Sequence, residues 1–80
     1  MKSYLSEHDD TLGGRVYHAR MASGQTQAEL ADVSGIPLNA VSLLENNKRS
    51  PSVKMLERLR QAWPRINLHW IITGEGEWIA

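Results

Sequence analysis

The side chains able to do chemistry in this sequence are grouped. Thr26, Gln27, Asn39, Ser42, Asn46, Asn47, Lys48, Arg49 and Ser50 concentrate hydroxyls, amides and cations in residues 26–50. Such groups donate and accept hydrogen bonds and neutralise anions, which is the chemistry of contact. Groups that make and break bonds are not assembled. There is no cysteine, which removes disulfides, thiolate metal sites and cysteine nucleophiles. His8, His18 and His69 lack ligand spacing such as His-x-x-x-His. No Ser/His/Asp set has local support, and no glycine-rich loop follows a strand pattern. Gly74-Glu75-Gly76 reads as a helix stop and tail. An enzyme is therefore not expected, and no cofactor is called for.

These groups must be positioned by helices, because the apolar residues recur at helical spacing. Thr11 to Ser23 reads as a first helix through Leu12, Val16 and Arg20 or Met21, closed by Gly24. Gly13 and Gly14 weaken its first turn. Thr26-Gln27-Ala28-Glu29 has the capping-box form and opens a second helix, with Ala28, Leu30, Ala31 and Val33 on its buried side. Ser34-Gly35 stops it, with glycine supplying the positive φ of a tight turn. Pro37 opens a third helix running to Glu45, with Val41 and Leu44 facing the core. A polar loop, residues 46–51, precedes a fourth helix capped by Ser52 or Ser50, with Val53, Leu56, Leu59 and Ala62 or Trp63 as its stripe. Pro64 ends it. Asn67 caps a fifth helix through Leu68, Ile71 and Ile72, ended by Gly74. The expected fold is all-α, a compact five-helix bundle. Residues 1–10 form a tail or helical lead-in, 11–73 the domain, and 74–80 a tail or the start of a linker.

Eighty residues make one domain with a modest core. No apolar run approaches the roughly 20 residues of a membrane span, and the polar, acidic start is no signal peptide. A cytoplasmic setting and no membrane partner are expected. The formal charge is zero, but residues 11–60 carry a net +3 while residues 1–10 carry −2 and 61–80 carry −1. A basic middle is compatible with a phosphate partner, although few neutralised phosphates imply weak non-specific binding.

Two helices joined by a short glycine-containing turn define a helix-turn-helix: here residues 27–33, Ser34-Gly35-Ile36-Pro37, and residues 38–45. The second of these is short enough to lie in a major groove about 12 Å wide. The set Arg15-Val16, Arg20, Gln27-Ala28-Glu29-Leu30-Ala31, Gly35-Ile36, Val41, Leu44-Glu45-Asn46, Lys48 and Pro51-Ser52 resembles the phage CI- and Cro-type (lambda repressor-like, XRE) helix-turn-helix family over residues 12–73. The run Leu68 to Glu77 also looks like the last helix of phage repressor N-terminal domains, in which a linker and an oligomerisation domain often follow. On that pattern the gene product could extend beyond Ala80.

The resemblance implies a role for each matching position. Gln27 contacts a phosphate and braces the reading helix, with the Thr26 hydroxyl beside it. Arg20 and Glu45 form a buried salt bridge between the first and third helices; a solvated phosphate contact is the other reading of Arg20. Leu38, Asn39, Ser42 and Leu43 are the outward, base-reading positions. Asn39 can bind adenine bidentately, Ser42 is less discriminating, and the two leucines depart from the polar residues of relatives. An exposed leucine can pack on thymine methyls, giving an A·T-leaning site; Leu38 folding back as a helix staple, and Leu43 in the core or a protein-binding patch, are the alternatives. Asn46, Asn47, Lys48, Arg49 and Ser50 lie over the neighbouring backbone as phosphate contacts. Asn47 stands where the family often has glycine. Trp70 and Trp78 are candidates for a dimer surface.

The expected function is a phage-type transcriptional repressor, binding a palindromic double-stranded DNA operator as a homodimer, with an antirepressor or toxin as a further partner. The rivals are a protein-interaction module of the same fold and an antitoxin that represses its own operon.

Overall fold

The computed structural model describes residues 11–79. Within these residues five helices follow one another: α1 (Leu12–Ala22), α2 (Gln27–Ser34), α3 (Leu38–Glu45), α4 (Val53–Ala62) and α5 (Leu68–Thr73). Each boundary has a local cause. Thr11 Oγ1 accepts from Gly14 N–H at 3.0 Å and starts α1. At α2 the capping box is complete: Thr26 Oγ1 accepts from Glu29 N–H at 3.0 Å, and Glu29 Oε1 accepts from Thr26 N–H at 2.8 Å. Of the two serines that could cap α4, Ser52 does so, accepting from Met55 N–H. Asn67 caps α5. Gly35 and Gly74, with φ of 77° and 82°, end α2 and α5 in the left-handed conformation that glycine adopts most readily.

The core is built from Val16 and Ala19 of α1, Leu30 of α2, Ile36, Val41 and Leu44 of the turn and α3, Leu59 of α4, and Ile71 of α5. The sequence misassigned some faces. Ala28 and Val33 are exposed, Val33 by 55 %. The face of α2 that meets α3 and α4 carries Leu30 and Ser34 instead. Val53 is 72 % exposed, because the buried line of α4 runs through Met55 and Leu59, one turn apart, and Val53 lies across the helix from it.

The C-terminal residues also differ from expectation. Asn67 N–H donates to Trp78 O at 2.9 Å, and an isolated antiparallel bridge joins Ile66 to Ile79. The segment after α5 therefore folds back over the domain. Trp70 is buried, and Trp78 packs half-buried against the core; both rings meet His18 edge-on at 5.3 Å. Trp70 is thus a core residue and not the dimer anchor proposed for it, and Trp78 presents much of its ring inward. Among the described residues no helix is long and apolar enough to cross a membrane.

Gly13, which the sequence marks as a weak point of α1, proves to be a packing requirement. A Cβ there would land on the carbonyl oxygen of Leu44, with that of Glu45 at 2.9 Å and Asn47 Oδ1 at 2.7 Å. Helix propensity alone favours alanine over glycine by about 1 kcal/mol. The overlap is with backbone, which cannot step aside, so the opposite sign is expected. Gly13→Ala should lower the urea unfolding free energy by about 1–3 kcal/mol; a raised midpoint would refute the close approach.

Candidate nucleic-acid interface

The turn and loops around α3 decide what that helix presents. Its inner side is Ala40, Val41, Leu44 and Glu45, all buried. Its outer side is Leu38, Asn39, Ser42 and Leu43; Leu38 is 50 % and Leu43 40 % exposed, Asn39 is exposed and Ser42 half-buried. All four expected reading positions therefore share one solvent-facing side. Leu38 does not fold into the core, and neither does Leu43.

What holds this face in place is a set of buried charges at the far end of α3. Arg20 of α1 donates to Glu45 through Nε at 2.7 Å and Nη2 at 3.1 Å, a two-pronged ion pair between side chains that are almost wholly buried. Arg20 Nη1 donates to Gln25 O at 2.7 Å, and the guanidinium lies 5.3 Å from the centroid of the Tyr17 ring. Gln27, the first residue of α2, donates from Nε2 to Glu45 Oε1 at 3.0 Å. One carboxylate thus joins α1, the start of α2 and the end of α3. The Gln27 brace and the Arg20–Glu45 pair are both as the sequence pattern implies. The reading of Arg20 as a solvated side chain is excluded by its 7 % exposure. Each end of α3 has a further tie. At the start, Arg58 Nη1 of α4 donates to Gly35 O at 2.9 Å.

At the end, Asn47 adopts φ of 60°, the left-handed conformation anticipated for it. Its side chain has a structural task that the sequence did not signal. Oδ1 accepts from Gly13 N–H at 3.0 Å, and Nδ2 donates to Thr11 Oγ1 at 2.9 Å. Asn47 is therefore a latch between the loop and the start of α1. Asn46 is exposed, with its amide donating back to Ser42 O at 2.9 Å. Lys48, Arg49 and Ser50 are exposed after the end of α3, and Lys48 N–H donates to Leu43 O. Thr26 is exposed and Gln27 half-buried at the start of α2.

Three contributors escaped the sequence reading. Arg15 is buried and donates to Ile71 O at 2.8 Å and Ile72 O at 3.2 Å, satisfying carbonyls at the end of α5. Gln25 accepts from Trp63 Nε1 at 2.9 Å and so ties α4 to the loop that Arg20 holds. Arg58 supports the turn. Their partners lie 23 to 57 residues away along the chain, and no local pattern signals such pairings.

Removing Glu45 leaves the Arg20 guanidinium buried without its carboxylate. Glu45→Ala should cost about 3–5 kcal/mol in urea unfolding. Arg20→Lys keeps the charge but loses the fork geometry, and should fall between that variant and the parent. Equal stability of the parent and Glu45→Ala would show the pair to be dispensable.

The comparisons with known proteins agree with this geometry. A helix-turn-helix family model matches residues 16–63. The chain is 37 % identical over 70 residues to the HTH-type transcriptional regulator for conjugative element R391 of Providencia rettgeri, and equally to that for element SXT of Vibrio cholerae. The aligned region covers 84 % of this chain and 30 % of each relative, so the chain spans less than a third of their length. No solved structure matches it.

Proposed function

Because this chain belongs to the helix-turn-helix family, we propose that it binds double-stranded DNA as a transcriptional regulator, with α3 reading the major groove. The observation that carries this reading is the exposed Leu38–Asn39–Ser42–Leu43 face held from behind by the Arg20–Glu45–Gln27 junction. An eight-residue helix is about 12 Å long, which fits the groove. Asn39 reads adenine through its amide, and Ser42 adds a less selective hydrogen bond. Gln27 Nε2 carries two hydrogens; one serves Glu45, and the other is available for a phosphate, with the Thr26 hydroxyl beside it. Lys48, Arg49 and Ser50, with Asn46 at their edge, contact the backbone of the neighbouring strand. The function is binding, and regulation follows from occupying a promoter.

The relatives' names point to a conjugative element, another class of mobile DNA than the phage setting suggested by the sequence motif. Two copies on a palindromic site would place their reading helices about 34 Å apart. Since Trp70 is in the core, a homodimer would use another surface. A protein-interaction role is the second reading, favoured by the zero net charge and the two exposed leucines.

Selection of duplexes from a random pool, followed by a salt series, tests the proposal. Enrichment of a palindrome with half-sites one helical turn apart is the expected result; no retardation at low salt, with tight capture of a protein, would favour the interaction module. On the selected site, Asn39→Ala should cost about 1–3 kcal/mol and relax preference at one adenine. Lys48→Ala should weaken all duplexes alike and reduce the salt slope by about 1. Equal loss of sequence preference in both variants would contradict these separate roles.

A further inference from the structure

A shallow hollow lies beside the start of the reading helix. It measures about 700 Å³, and Met21, Ala28 and Leu38 supply apolar side chains to its lining. Met21 is 47 % exposed and Leu38 50 %, and they come from separate elements, the last turn of α1 and the first residue of α3. Thr26 and Gln27 line the same hollow, so it opens on the side where the phosphate-facing start of α2 lies. Two large apolar side chains are thus left in water at one edge of the contact face, beside Asn39 and Ser42. The major-groove edge of DNA offers them one apolar group, the C5-methyl of thymine.

We propose that Leu38, flanked by Met21 and Ala28, senses the C5-methyl group of a pyrimidine, and that 5-methylcytosine is accepted at that position as thymine is. The inference rests on the DNA-binding reading above and goes beyond it. It makes cytosine methylation a signal that this surface can register. Leu38 has no hydrogen-bonding group with which to distinguish the O4 of thymine from the N4 amine of cytosine. What it contacts is the methyl, which both bases carry at C5. Burying one methyl on an apolar side chain corresponds to about fourfold in affinity.

The test uses the duplex selected by the parent chain. Each thymine is replaced singly by deoxyuridine, which removes only the methyl. At the thymine whose loss matters, a C·G pair is then compared with its 5-methylcytosine form. The expected result is a loss of about fourfold for deoxyuridine at one position per half-site and a similar gain for 5-methylcytosine over cytosine. Leu38→Gln should abolish both differences, and Met21→Ala should diminish them. Both residues are half-exposed, and urea midpoints verify that the variants fold. Deoxyuridine without effect at every position, or methyl discrimination unchanged in Leu38→Gln, overturns the inference while DNA binding stands. Failure to enrich any duplex overturns both together.

Discussion

The geometry of this domain depends on one buried carboxylate. Glu45 receives Arg20 from α1 and Gln27 from the start of α2, while it forms the last residue of α3. Charges taken out of water are costly unless they are paired in good geometry and hydrogen-bonded. Here both conditions hold, since the guanidinium presents two parallel donors to the carboxylate and a third to a main-chain carbonyl. Such a junction adds little to stability relative to well-packed apolar residues. What it does is penalise arrangements in which the three helices sit otherwise, because any of them strands a charge.

That directional constraint matters because α3 could not hold itself. A helix of eight residues is too short to persist in isolation, and Pro37 provides no side-chain cap for it. Its stability is borrowed. Val41 and Leu44 bury its inner side, Arg58 secures the preceding turn, and the Gly13–Asn47 latch secures its end. None of these ties uses the side chains of Leu38, Asn39, Ser42 or Leu43.

Charge is the second feature of the surface. The chain is neutral as a whole, so long-range attraction to phosphate is weak, and in the proposed complex contact comes from local groups such as Lys48, Arg49 and the start of α2. On the proposed reading, apolar contact takes a larger share at the exposed face where Leu38 and Leu43 stand, and specificity would rest on shape and methyl groups as much as on hydrogen bonds.

Much of this was legible in the residues themselves. The capping box at Thr26, the glycine turn at Gly35 and the start at Pro37 follow from local rules of backbone and spacing, and the five helices of the described residues are where those rules put them. The outward positions 38, 39, 42 and 43 came with the family resemblance. The pairing of Arg20 with Glu45 was legible only through resemblance. What tertiary structure alone decided is where distant segments meet. Val53 and Val33 faced water because helical spacing does not say which neighbour covers which face. Asn47 acts as a latch because Gly13, far along the chain, brings its N–H within reach. Trp70 left the surface because α5 packs against α1, where its ring meets buried His18 edge-on. Sequence sets local conformation through steric and capping preferences that act over a few residues; long-range packing assigns each side chain its partner, and with it the choice between core and contact.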